Sequence, residues 1–208
     1  MARQIGPKCR LCRREGTKLF LKGKRCDTPQ CSCERREAPP GMHNWRRGRQ
    51  GDYGVRLREK QKCKRYYGVL EQQFRRLFSR AQRSKENTGE ELLALLESRL
   101  DNVVARLGLA TSRAQARQMV VHGHVTLNGR KADVPGLLTK PGDAVGIRKA
   151  EESLKLVKQN LEITKGRGRP SWLEFDEAGP GGKVLSRPTR DEVSIPINEQ
   201  LILELMSK

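Results

Sequence analysis

Residues 88–131, TGEELLALLESRLDNVVARLGLATSRAQARQMVVHGHVTLNGRK, carry the reading from which the fold follows. Thr88-Gly89-Glu90-Glu91 is a capping box: the Thr hydroxyl and the Glu carboxylate three residues on satisfy amides that a helix start leaves unpaired. Leu92, Leu93, Leu96, Leu100, Val103, Val104 and Leu107 then recur at helical spacing as one apolar stripe, and Gly108 is placed to stop the helix. Ser112-Arg113-Ala114-Gln115 repeats the capping logic and opens a shorter helix ending near His122-Gly123. Val125-Thr126-Leu127 and Arg130-Lys131 flank Asn128-Gly129, whose left-handed conformations suit a two-residue hairpin turn. Pro141-Gly142-Asp143 marks a further turn before a strand over 144–148, so the expectation is a helix pair packed on a small antiparallel sheet.

Working outward, residues 48–85 are intensely basic yet keep Tyr53, Leu57, Tyr66, Val69, Leu70, Phe74, Leu77, Phe78 and Ala81 at helical spacing. Two helices are predicted here, with Asp52 as N-cap of the first and a break near Gly68. A third helix is predicted from Glu151 to about Thr164. Residues 165–170 and 179–182 read as flexible connectors, and Asn198 precedes either a short capped helix over 199–206 or a strand. The first 45 residues hold five of the six cysteines and no sustained helical period, so this arm has too little apolar material for a core of its own.

Lys and Arg total 43 against 24 Asp and Glu, a formal net charge of +19 that calls for a polyanionic partner, nucleic acid before a membrane surface. No apolar run is long enough to span a bilayer and the start of the chain has no signal-peptide core, so a cytoplasmic protein with reduced or metal-bound thiols is expected. Cys9-Arg10-Leu11-Cys12 followed by Cys26 and Cys31 is a two-plus-two arrangement suited to one structural Zn²⁺, whose binding would supply the folding free energy the arm lacks. Cys33 competes with Cys31 as the fourth ligand, and Cys31 is preferred.

Two basic constellations are candidates for RNA. Arg113 and Arg117 share a helix face and continue into His122, His124, Arg130 and Lys131 on the hairpin, a surface fitted to phosphates and 2′-hydroxyls of folded RNA. Arg46, Arg47, Arg49, Arg56, Arg58, Lys60, Lys62, Lys64 and Arg65 interleave with Trp45, Tyr53, Tyr66 and Tyr67, the pattern in which cations track a backbone while aromatics stack or pack. No small-molecule substrate is implied. A zinc-containing DNA-binding regulator is disfavoured because no recognition helix adjoins the cysteines.

Several stretches resemble the fourth protein of the bacterial small ribosomal subunit. These are the opening 5–16, Asp52-Tyr53-Gly54-Val55-Arg56-Leu57-Arg58-Glu59-Lys60-Gln61-Lys62, Leu96-Glu97-Ser98-Arg99-Leu100-Asp101-Asn102-Val103-Val104, Val125-Thr126-Leu127-Asn128-Gly129-Arg130 and Asn198-Glu199-Gln200-Leu201. The resemblance implies an α+β architecture. It has a zinc-bound arm (1–45), a basic helical domain (46–90, completed by 180–208) and an inserted α/β RNA-binding domain (91–179). It implies a non-enzymatic assembly protein that grips a multi-helix junction in the 5′-proximal domain of small-subunit rRNA beside neighbouring ribosomal proteins. It also places Arg46, Arg47 and Arg49 near the channel through which mRNA enters, and some members repress their own operon. The rival reading, a pseudouridine synthase with Asp101 in Ser98-Arg99-Leu100-Asp101 as its acid, leaves no room for a catalytic domain.

Overall fold

The computed structural model describes residues 4–36, 38–42, 51–85, 87–176 and 179–207. Two compact units emerge: Met1–Leu92 with Ile195–Lys208, and Leu93–Ser194.

In the first unit, α1 (Lys8–Glu15), a 3-10 turn (Gly23–Asp27) and the short α2 (Ser32–Arg35) precede the longer α3 (Asp52–Tyr66) and α4 (Glu71–Gln82). The predicted break between α3 and α4 is a Schellman ending. Gly68 adopts φ +64°, its N–H donates to the Arg65 carbonyl, and the Val69 N–H donates to that of Lys64. Gly51 takes the cap position expected of Asp52, which becomes the first helical residue, where its charge still complements the helix N-terminus. Phe74, Phe78 and Ala81 form the buried side of α4. Late in the chain, α9 (Glu199–Met206) returns to α3: the Asn198 side chain caps it, and the Asn198 N–H donates to Glu59 Oε1 at 2.8 Å.

In the second unit, the leucine stripe is split. α5 (Thr88–Glu97), which begins in the first unit, ends before Arg99, and α6 (Leu100–Arg106) starts after it. Arg99 is extended and bridges Leu138, while Leu137 accepts from the Leu100 N–H and Ser98 accepts from the Thr139 N–H. A loop forty residues downstream thus takes the backbone groups that an unbroken helix would have used. Gly108 ends α6 with φ +82° as expected. Ser112 caps α7 (Arg113–Val121), and Gln115 Oε1 reaches back to the Thr111 N–H at 2.7 Å.

β1 (Val125–Leu127) and β2 (Arg130–Lys131) form the hairpin, with φ +49° at Asn128 and +77° at Gly129. β3 (Ala144–Ile147), α8 (Glu151–Thr164), β4 (Leu173–Asp176) and β5 (Gly181–Val184) follow. The sheet is antiparallel throughout in the order β2-β1-β3-β5-β4. Of residues 179–182, read as connector, Gly181 and Gly182 therefore open β5, which pairs with both β3 and β4, and the return to the first unit begins at Ile195 rather than at 180. The glycines are what the strand requires. A Cβ on Gly182 would lie 2.4 Å from the Glu174 carbonyl oxygen and 2.5 Å from Leu107, and one on Gly181 2.7 Å from that of Val145. The core joins Leu100, Val103, Val104 and Leu107 of α6 to Met119, Val120, Val145, Val157 and Trp172.

The expected zinc-bound arm is not built as a metal centre. Among the described residues, no group of three or more His, Cys, Asp or Glu side chains is arranged to hold a metal ion. Cys9 and Cys12 lie one turn apart on α1, Cys26 lies in the 3-10 turn, Cys31 caps α2 and Cys33 sits inside it. None of the six cysteines is in a disulfide.

Candidate nucleic-acid interface

The described part of the basic run on α3 is not a free surface. Arg56 Nε meets Glu204 at 2.6 Å, Arg58 Nη1 meets Glu15 at 3.3 Å, and Lys62 Nζ meets Glu59 at 2.7 Å. Lys60 and Lys64 share Glu71 at 2.5 and 3.0 Å, and Arg65 pairs with Glu15. Each of the six predicted α3 cations thus has a carboxylate partner, and α1, α4 and α9 supply all but that of Lys62. Of the interleaved aromatics, Tyr66 and Tyr67 are buried edge to face with centroids 4.9 Å apart, whereas Tyr53 is 67 % exposed. Arg46, Arg47, Arg49 and Trp45 lie outside the described residues.

Burial pushes the Glu71 carboxyl up, but the hydrogen bonds and charges of Lys60 and Lys64 outweigh it and hold the group at about 2, against a usual value near 4.5. A depressed folded-state value stabilises above the unfolded one and loses that contribution as pH falls through about 2. Wild type should therefore melt above Glu71→Gln at pH 6, with the gap closing progressively below about pH 4.5. Thermal melts at pH 6, 4 and 2.5 check this, and a gap that stays constant would show that the lysine contacts act by packing alone. Glu15 is the opposite case. Its side chain is 1 % exposed, and burial pushes its carboxyl up in spite of Arg65 and Arg58.

In the second unit the predicted arginines are likewise engaged. Arg113 Nε donates to Asn102 Oδ1 at 2.7 Å, and Arg117 Nη1 to Asp101 Oδ2 at 3.1 Å. Asp101 also receives Arg99 through Nε and Nη2 at 3.1 and 2.8 Å, a fork geometry in which both carboxylate oxygens are used. Glu97, fully buried, receives Asn102 and both nitrogens of an Arg106 fork. These acids fix the α5–α6 junction and orient α7 against it.

The hairpin differs. Arg130 and Lys131 are exposed, and among the described residues no carboxylate pairs with either. The Arg148 N–H donates to the His124 carbonyl at 2.9 Å, which sets exposed Arg148 and Lys149 beside the start of β1, at the end away from the hairpin turn. The sequence reading passed over this basic pair, which follows a strand without any motif. His124 Nδ1 lies 2.9 Å from Ser153 Oγ, and both His122 and His124 line a cavity of about 210 Å³ with Gln115, Gln118, Met119 and Leu156. Arg130, Lys131, Arg148 and Lys149 are thus exposed cations with no carboxylate partner among the described residues, a set suited to binding a polyanion.

The family profile of the ribosomal protein S4/S9 N-terminal domain matches residues 3–97, and that of the S4 domain matches residues 98–145. The small ribosomal subunit protein uS4 of Thermus thermophilus is 54 % identical over 209 residues, covering all of both chains. The chain belongs to the uS4 family. The uS4 proteins of Thermoanaerobacter sp. and Geotalea daltonii are each 54 % identical over 208 residues, again covering both chains in full. uS4 is a structural ribosomal family, so Asp101 is an acid of the fold and not of a reaction. No helix among the described residues is long and apolar enough to cross a membrane.

Burial raises the Cys12 thiol to about 11, with Cys26, Cys33 and Cys9 adding to it, and the Leu19 amide opposing it. Cys12, Cys26, Cys31 and Leu19 are the buried apolar residues of the arm.

Proposed function

We propose that the chain is a structural constituent of the small ribosomal subunit, in the cytoplasm, that binds and stabilises a multi-helix junction in the 5′-proximal domain of small-subunit rRNA. The observation that carries the reading is full-length identity of 54 % to uS4 proteins, and the exposed cations on β2 and just after β3, unpaired among the described residues, supply its chemistry. Arg130, Lys131, Arg148 and Lys149 contact phosphates and 2′-hydroxyls, with His122 and His124 beside them. Neighbouring small-subunit proteins are the protein partners. Arg46, Arg47 and Arg49 face incoming mRNA where it enters the subunit and bear on translational accuracy, and a role in repressing its own operon belongs to the same reading.

Cys9, Cys12, Cys26 and Cys31, or Cys33 in place of Cys31, are the residues that would hold one structural Zn²⁺. What supports this is that thiols make up most of the arm's buried apolar material, so a bound metal would cross-link a segment that packing alone holds weakly. Protein purified without chelator should carry about one equivalent of zinc, and less than half an equivalent counts against the site.

Binding to an rRNA junction fragment across a salt series, with tRNA and a scrambled RNA of equal length as competitors, tests the main reading. Junction affinity that survives the competitors at about 0.2 M salt supports it. Equal affinity for all three RNAs reduces the chain to a generic basic binder.

A further inference from the structure

In the first unit, the described cations divide into those that have a carboxylate and those that do not. All six on α3 are matched, and Arg75 on α4 joins Lys60 and Lys64 on Glu71 at 3.3 Å. Glu71 is the only acid in α4 and is fully used. Arg76 and Arg80 on α4 and Arg83 at its C-cap have no carboxylate partner among the described residues, and all three are exposed. Their spacing of four and three residues puts them on one stripe, turned about 200° round the helix from Phe74, Phe78 and Ala81, which face the core.

The fold gains little from this stripe. Like charges four apart on a helix repel by a few tenths of a kcal/mol, which the favourable placing of cations near a helix C-terminus only partly offsets. Three guanidinium forks held open on a rigid helix are, however, well shaped for the paired oxygens of phosphates, and all three positions are Arg rather than Lys. Their axial separations, about 6 and 4.5 Å, let one helix follow a run of successive phosphates.

We propose that Arg76, Arg80 and Arg83 form an RNA phosphate-contact surface of the first unit, and that the cations of α3 serve the fold instead. This rests on the rRNA-binding reading above and assigns the first unit's share of it to α4.

The test uses the full chain, a transcript of the 5′-proximal domain of small-subunit rRNA and a scrambled RNA of equal length, with affinity measured from 50 to 400 mM salt (about the range over which phosphate contacts weaken steeply). The triple variant R76Q/R80Q/R83Q should flatten the plot of log affinity against log salt by about 2 to 3 units, at roughly 0.7 to 0.9 for each of three phosphates lost. Its melting temperature should be unchanged or higher, since glutamine keeps helix propensity and the repulsion is relieved. R76K/R80K/R83K should restore most of the slope. The double variant K62Q/K64Q should lower the melting temperature and leave the slope within about 0.5 of wild type. An unchanged slope in the triple glutamine variant overturns the proposal, and so does equal flattening by K62Q/K64Q. Failure of the wild type to prefer the rRNA transcript over scrambled RNA would sink the ribosomal reading instead, while the slopes on the scrambled RNA would still decide what α4 does.

Discussion

Asp101→Ala is expected to lower the free energy of unfolding by about 3–5 kcal/mol, the range seen when one member of a buried ion pair is removed. Arg99 is 2 % exposed and Asp101 4 %, so the alanine leaves a buried guanidinium whose fork has lost both of its acceptors. Arg117 loses its ion pair with Asp101 at the same time, and with it one of the ties between α7 and the start of α6, Arg113–Asn102 being another. Because Arg99 also holds the extended backbone that separates α5 from α6, the damage should reach the sheet through Leu138 and the loop that accepts from Leu100. Urea unfolding followed by circular dichroism measures the loss. A cost below about 1 kcal/mol, the scale of an exposed pair, would mean that the arginines find water or another acceptor and that the triad is not a determinant of the fold.

Trp172→Ala should cost a similar amount, about 3–5 kcal/mol, for a different reason. Trp172 is 1 % exposed and is the largest fully buried side chain among the described residues, packed among residues of α6, α7, α8 and the sheet, so its removal leaves a cavity those elements cannot close. Its indole N–H has no hydrogen-bond partner among the described residues, an imperfection that costs stability as it stands. Trp172→Phe should therefore fall far less than alanine, since it keeps most of the ring volume and removes the unpaired donor. Equal losses for the two variants would show that the indole makes a polar contact essential to the second unit.

The sequence was most informative where the determinant is local. Ser112 marks a helix start, Gly68 and Gly108 mark helix ends, and Asn128-Gly129 marks the hairpin, all through conformational preferences that act over two to four residues, whereas α5 takes Thr88 as its first helical residue and is capped by Asn87, whose Oδ1 accepts from the Gly89 N–H. It was least informative where a distant partner decides. The apolar spacing runs through Ser98-Arg99 without interruption, and only the backbone groups of residues 137–139 reveal why the helix stops there. Gly181-Gly182 looks like a linker until the Glu174 carbonyl and the Leu107 side chain are seen pressed against it. The carboxylate partners of Arg56 and Arg65 on α3 were hidden for the same reason, because Glu204 and Glu15 are far away in sequence. Of the candidate interface, Arg130 and Lys131 were legible from the hairpin itself. Arg148 and Lys149 were not, since nothing local connects them to it.

The return of residues 195–208 to α3 has a bearing on how the molecule is made. A ribosome building this chain completes α3 and α4 and then must add roughly a hundred residues, on the order of 5 to 20 seconds of synthesis, before α9 exists to lie against them. The second unit is contiguous, so its sheet and helices can assemble during that interval. The first unit stays unfinished meanwhile, with Glu59 awaiting the Asn198 amide and Arg56 awaiting Glu204. Nascent chains should thus gain protease resistance in reverse order of position, the middle of the sequence before its beginning.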